Sequence, residues 1–174
     1  MERLLTTEIK HYDDTALGDI RQTLLDVHEE AYADRRHEEF VQRFPWFVDH
    51  WGTKPGFSCV IAWEANVPVG FSYGAPAIPG REWWQGHLET TPQDASTFSV
   101  SELMVRPKWR KTGLGPRLHD ALLGGRTEAW AVLTVDTKRP RLQTMYEGWG
   151  YRKVGENQPF ADSPVYAVMM KAAS

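Results

Sequence analysis

"VRPKWRKTGLGPRLHDALL", residues Val105 to Leu123, sets a run of cations, two glycines and then a helix-like segment in close succession. The segment from Pro116 to about Leu123 has helical apolar spacing, and Gly124-Gly125 ends it. The first four amides of a helix lack internal partners, and the macrodipole makes that end partly positive. Gly113 and Gly115 permit turn angles denied to other residues and let the backbone approach a ligand closely. With Arg110 and Lys111 beside them, the stretch reads as an anion site, most often one for phosphate. Glycines that merely permit a tight turn are the competing explanation.

The flanks place this stretch in a fold. "TFSVSELMV" precedes it as a strand, and "AVLTVDT" follows, apolar almost throughout as in a strand buried on both faces. Pro140 to Trp149 reads as a helix stopped by Gly150, and "YRKVGE" and "VYAVMMK" supply two last strands. Upstream, "GFSCVIAWEANVPVGFSYGAP" has two β-prone runs around Glu64-Ala65-Asn66, a hairpin signal. Leu4 to His11 reads as a first strand. Asp14 or Thr15 then caps a helix to about Tyr32, with Leu17, Ile20, Leu24, Val27, Glu30 and Ala31 near the helical period. A second helix runs from about Glu38 to Trp51, which Pro45 should kink or divide. The order β-α-α-β-β-β-α-β-α-β-β predicts a mixed sheet with helices on both faces. No repeat, low-complexity tract or linker interrupts it, so residues 1–174 are expected to form one domain.

Composition narrows the function. Hydrophobic residues at 41% and charged residues at 25% describe a folded globular chain. A net charge of −3 gives no electrostatic footprint for nucleic acid, so none is expected as a partner. No apolar run approaches the roughly 20 residues of a membrane span, and no membrane association is expected. "MERLLTTEIKHYDD" lacks the residue order of a signal peptide, and a cytoplasmic location is the expectation. Cys59 is the single cysteine, which excludes an internal disulfide and a multi-cysteine zinc site. No metal is expected.

"ELMVRPKWRKTGLG" followed by "MYEGWGYRKVG" resembles the GNAT superfamily of N-acetyltransferases. The family signature, Arg/Gln-x-x-Gly-x-Gly/Ala, is matched by Arg110, Gly113 and Gly115, after a strand ending in Val105-x-Pro107. Downstream, Tyr146-Glu147-Gly148-Trp149-Gly150-Tyr151 matches an aromatic-acid-x-x-Gly-aromatic pattern. The resemblance implies a GNAT-like mixed, mostly antiparallel central sheet of about seven strands. It also implies that the phosphate is the pyrophosphate of acetyl-CoA. Leu103, Met104 and Val105 would then face the pantetheine arm. Arg110, Lys111, Thr112, Gly113, Leu114 and Gly115 would hold the pyrophosphate, with Arg117 at the rim. Two positions depart from the pattern: Pro116 has no N–H to offer, and Arg139 stands where the family often has asparagine. Arg139 or Arg141 would reach a CoA phosphate, or simply form a solvated helix start.

The implied reaction is attack of a neutral amine on the thioester. An ammonium must lose a proton, an oxyanion must be stabilised, and the departing thiolate should be protonated. Tyr146 matches the family position that often serves as general acid; a packed core tyrosine is the alternative. Strand alternation puts Leu103 and Val105 on one face and Glu102 with Met104 on the other. A carboxylate in this otherwise apolar strand is costly unless used, and partial burial would raise its pKa and suit it to be the base. A structural salt bridge would also explain Glu102. The N–H of Met104 or Val105 would polarise the thioester carbonyl.

Other motifs fail on inspection. "HLE" lacks the Pro-Cys-x-x-Cys of a zinc deaminase, and "HEEAY" and "HEEFV" lack the second histidine of a zincin. No P-loop or Gly-x-Ser-x-Gly elbow is present. His119 is expected to be a surface or half-buried helix residue. Two classes remain: an N-acetyltransferase acting on a small-molecule or peptide amine, and a non-catalytic acetyl-CoA-binding domain of the same fold. Acceptor contacts are expected from Phe44, Trp46, Phe47, Trp83 and Trp84, with Glu82 and Glu89 as anionic partners, which suits an amine with an apolar or aromatic part. A homodimer interface would use the same residues.

Overall fold

A computed structural model describes residues 6–173 of the chain. Seven strands form one mixed, mostly antiparallel sheet in the order β1-β2-β3-β4-β5-β7-β6. In chain order the elements are β1 (Thr7–Asp13), α1 (Leu17–Ala31), α2 (Glu39–Gln42), α3 (Phe44–Gly52), β2 (Ser58–Glu64), β3 (Val67–Pro76) and β4 (Thr97–Val105). Then follow α4 (Leu114–Leu123), β5 (Trp130–Asp136), α5 (Pro140–Gly148), β6 (Arg152–Asn157) and β7 (Tyr166–Ala172). The chain divides into two compact units, residues 6–75 with 102–124 and residues 76–101 with 125–173. β4 contributes to both.

In the first unit, β1, β2 and β3 pair antiparallel, with Thr7 opposite Glu64 and Ser58 opposite Gly74. The β2–β3 hairpin turns on Ala65 and Asn66, whose φ values of 49° and 66° are those of a two-residue primed turn. Cys59 and Ile61 of β2, Phe71 and Tyr73 of β3 and Met104 of β4 share a core with α1 and α3. From α1 come Ile20, Leu24, Val27 and Ala31, the helical stripe expected from their spacing. α4 packs over β2 on the other face, where Leu118 approaches Gly70.

That approach leaves no space at Gly70. A Cβ there would sit 2.9 Å from the Met104 carbonyl oxygen and 3.2 Å from Leu118 Cδ1. The first neighbour is backbone and cannot rotate away. Gly70→Ala is therefore expected to destabilise the protein by about 1–3 kcal/mol, the usual cost of overpacking, measured as a shift in urea midpoint at constant slope.

In the second unit, β4 pairs in parallel with β5 at Thr97, Phe98 and Ser99. β7 lies antiparallel to β5, and β6 to β7. Trp84, Val132, Val168 and Met170 form its buried cluster, with Trp83, Leu88, Trp130 and Val154 packed against it.

Local details correct the sequence reading in places. β1 extends to Asp13, and Leu4 and Leu5, expected in that strand, lie outside the described residues. Neither Asp14 nor Thr15 caps α1. Asp13 Oδ1 instead accepts the N–H and hydroxyl of Thr15 at 2.9 and 2.5 Å, so the local turn takes the side chains a cap would need. Pro45 divides the second helical segment and sits in the first turn of α3, where its missing N–H costs nothing. His119 is buried, at 1% exposure, on the inward side of α4. No helix among the described residues is long and apolar enough to cross a membrane.

Candidate active site

The first unit carries the glycine-bearing stretch. After β4, Pro107–Trp109 makes a single 3-10 turn, with the N–H of Trp109 bonded to the Arg106 carbonyl at 2.9 Å. The Trp109 indole donates to Glu64 Oε2 at 3.1 Å, and the Thr112 hydroxyl donates to the Trp109 carbonyl at 2.5 Å. Lys111 and Gly113 then take φ values of 62° and 83°. Gly113 stands immediately before α4, so the left-handed residue is also the one that opens the helix. Positive φ at alternating positions turns successive amides toward one side, the geometry of an anion-binding concavity. The N–H groups of Lys111, Thr112, Gly113, Leu114 and Gly115 meet no acceptor among the described residues. The first turn of α4 carries no acidic side chain, and a Cβ built on Gly113 meets nothing within 4 Å. Five amides without acceptors, the N-terminus of a helix and open space at Gly113 therefore fall within one short stretch.

Glu102 lies on β4 just ahead of this loop, on the face that Met104 shares with α1 and α3. Burial pushes its carboxyl up to about 8. No hydrogen bond or ion pair engages that carboxylate among the described residues, so the salt-bridge explanation finds no cation. Its backbone carbonyl is held: the Ser72 hydroxyl on β3 donates to it at 2.7 Å. Ser72 was not legible in the sequence, because a serine among small and apolar strand residues carries no signal of what lies across from it. Leu103 and Val105 alternate with Glu102 and are half-buried.

The arginines are engaged within the first unit. Arg110 donates to the Ala31 carbonyl at 2.9 Å, and Arg117 bonds the hydroxyl and, at 3.1 Å, the carbonyl of Thr7. The loop thus presents backbone, while these guanidinium groups reach α1 and β1. His28, read in the sequence only as part of a failed zincin motif, stacks on Phe44 at 3.9 Å with 1° between the planes. Burial lowers its pKa to about 4, so the ring is neutral near pH 7.

Tyr146 and Arg139 belong to the second unit. Tyr146, 9% exposed, packs edge-on against Trp149 and Tyr151, with centroids at 5.0 and 5.8 Å. The Tyr-Glu-Gly-Trp-Gly-Tyr pattern is the end of α5: Trp149 and Gly150 donate to the Tyr146 and Glu147 carbonyls, and Gly150 turns at a φ of 100°. Arg139, exposed, immediately precedes α5.

The acceptor expectations change most. Trp84 is 1% exposed, and its indole donates to Thr97 Oγ1 at 2.9 Å inside the second unit's core. Glu82, 6% exposed, accepts from the Gly80 amide and the Gln85 side chain, both at 2.9 Å, and closes its own turn. Neither is available to an acceptor. Phe44 is core, while Trp46 remains 54% exposed beside Phe47 and His50. Two concavities of about 300 and 680 Å³ are lined entirely by second-unit residues, Glu82 in the first and Glu89 in the second, and none of the residues expected to hold the cofactor lines either. No grouping of three or more His, Cys, Asp or Glu suited to a metal ion occurs among the described residues.

Comparison with known proteins adds an independent line. A family model described as an acetyltransferase (GNAT) domain matches residues 83–173. A GCN5-like protein acetyltransferase of Mycobacterium tuberculosis is 28% identical over 116 residues, covering 58% of this chain and 56% of that protein. The chain thus matches little more than half the length of that relative. Among solved structures, an aminoglycoside 6′-acetyltransferase type Ii aligns with a TM-score of 0.66 and 20% identity, covering 96% of this chain and 97% of the other. The PaiA N-acetyltransferase of Thermoplasma acidophilum, solved with coenzyme A, aligns with a TM-score of 0.63 and 13% identity, covering 97% and 99%. At these identities the structural likeness is one of fold.

Proposed function

The chain belongs to the GNAT acetyltransferase family, and from that premise we propose that it transfers the acetyl group of acetyl-CoA to a primary amine of a small molecule or peptide. The observation that carries the reading is the run of five amides, Lys111 to Gly115, without acceptors at the mouth of α4, directly after the strand that bears Glu102. Oriented amides and a helix N-terminus hold a pyrophosphate without any particular side chain, so the missing N–H of Pro116 and the engaged guanidinium of Arg110 leave the assignment intact. The parallel pairing of β4 with β5 engages Thr97 to Ser99, and the backbone of Leu103 to Val105 beyond it is assigned to the pantetheine arm.

In the proposed reaction Glu102 takes a proton from the acceptor ammonium, directly or through a water, and a pKa near 8 suits that transfer. The free amine attacks the thioester carbon, and the N–H of Met104 or Val105 stabilises the oxyanion. As the carbon–sulfur bond breaks, Tyr146 gives its phenolic proton to the thiolate. The proton left on the attacking nitrogen is lost to water as the amide forms, and the phenolate is reprotonated from solvent. The acceptor side is assigned to α1 and α3, with Trp46 and Phe47 favouring an amine that has an apolar or aromatic part.

Acetyl-CoA is expected to raise the melting temperature, because a ligand bound only to the native state stabilises it, by about 2.7 kcal/mol at one hundred times Kd. Gly113→Asp should abolish that rise by setting a carboxylate against the pyrophosphate. The space around Gly113 is open, so the folding cost is confined to the left-handed backbone, on the order of 1–2 kcal/mol. Gly113→Asn, which tolerates that backbone and adds no charge, is the comparison. Absence of both a thermal shift and a calorimetric heat with the wild type would remove the reading of the loop. Free-thiol release from acetyl-CoA across a panel of amines and peptides then finds the acceptor.

A further inference from the structure

Two arginine side chains run from the glycine-bearing loop to the last turn of α1. Arg110 donates to the carbonyl of Ala31 at 2.9 Å, one of the terminal carbonyls that a helix leaves without an internal donor. Arg106 donates to the Pro68 carbonyl at 2.7 Å and pairs with Glu30. That same turn of α1 carries His28, which lies flat on Phe44 of α3 and stacks on Tyr32 at 4.7 Å. All of these residues belong to the first unit. A contact path therefore leads from the loop backbone, through Arg110, to Ala31, His28 and Phe44.

We propose that Arg110, the first residue of the glycine-bearing signature, is a positioning residue whose guanidinium couples occupancy of the amide loop to the order of the last turn of α1 and of α3. The inference rests on the reading of the loop as the acetyl-CoA site. Anion binding by the amides of Lys111 to Gly115 immobilises the backbone next to Arg110. The bond to Ala31 passes that constraint to the helix end, and the His28–Phe44 stack passes it to α3. Acetyl-CoA then prepares the side of the unit assigned to the acceptor, and by linkage an ordered α1 terminus strengthens acetyl-CoA binding by the same factor. The role requires one N–H donor of sufficient reach. Lysine supplies it, and methionine does not.

Hydrogen exchange on the full chain, with coenzyme A as the probe, tests the coupling. In the wild type, saturating coenzyme A is expected to protect residues 109–118 and also residues 28–44. Arg110→Lys should keep both effects. Arg110→Met should keep the first and lose the second. Arg110 is an exposed residue, so its replacement should leave the fold in place, unlike replacement of Arg106, whose side chain ties the Pro68 carbonyl to Glu30. Full protection of 28–44 in Arg110→Met would overturn the proposal. So would equal loss of protection in both segments, which would make Arg110 a phosphate-binding cation. If the wild type shows no protection at 109–118, the cofactor reading itself fails, and that outcome is distinct because it needs no substitution.

Discussion

Glu102→Gln is expected to lower turnover by roughly 10²–10⁴-fold, the range that a positioned general base contributes. Wild-type turnover should rise with pH through about 8, as the carboxyl that burial holds protonated ionises. The variant should lose that rise while keeping its acetyl-CoA affinity. A substrate amine's own ionisation gives a similar limb, so the profile is measured with acceptors of different basicity. A limb that follows the amine and persists in Glu102→Gln would remove the base assignment. Stability supplies a second readout with a definite sign. The carboxyl titrates near its ordinary 4.5 in the unfolded chain and near 8 in the folded one. Below the lower value it is protonated in both states and imposes no charge penalty. Between the two, the folded state holds a proton that the unfolded chain has lost, so stability falls as pH rises. Glu102→Gln should therefore gain stability relative to wild type from pH 5 to pH 9, as read from urea midpoints. A gain independent of pH would show that the carboxyl is not perturbed by burial.

Tyr146→Phe should cost turnover a comparable factor, roughly 10²–10⁴-fold, if the phenol protonates the leaving thiolate. The ring and its edge-on contacts with Trp149 and Tyr151 are retained, so the stability change should stay near the roughly 1 kcal/mol of one hydrogen bond. Acetyl-CoA binding should survive, since backbone amides are assigned most of it. Steady-state turnover on the best acceptor, beside a denaturation curve for each protein, separates these effects. Equal turnover in the two proteins would end the general-acid assignment. A wild type that binds acetyl-CoA yet acetylates nothing in a broad panel would instead favour a non-catalytic acetyl-CoA-binding domain.

The features legible in the sequence are those set by neighbours along the chain. Ile20, Leu24, Val27 and Ala31 fall on one helical face because the 3.6-residue period puts them there. Alternation places Glu102 with Met104, and the Gly113 position needs the left-handed backbone that glycine adopts freely. Element order and the amide loop could be read from such local rules. Boundaries moved where two local rules competed, as when Asp13 captured Thr15 and left α1 without a side-chain cap.

Tertiary structure decided questions that depended on what the folded chain brings up to a side chain. Adjacent tryptophans in a polar loop look exposed until Thr97 supplies an acceptor for the Trp84 indole and Val132, Val168 and Met170 close around it. Glu82 looks like a free anion until its own turn takes up the carboxylate. His119 has the pattern of a half-exposed helix residue, yet it is buried. The resemblance puts Arg110 at the pyrophosphate and Arg117 at its rim, and the fold adds that their guanidinium groups reach Ala31 and Thr7, 79 and 110 residues away. Periodicity reports which face a side chain occupies. It carries no record of what the folded chain brings to meet that face, and for long polar side chains that meeting decides the role.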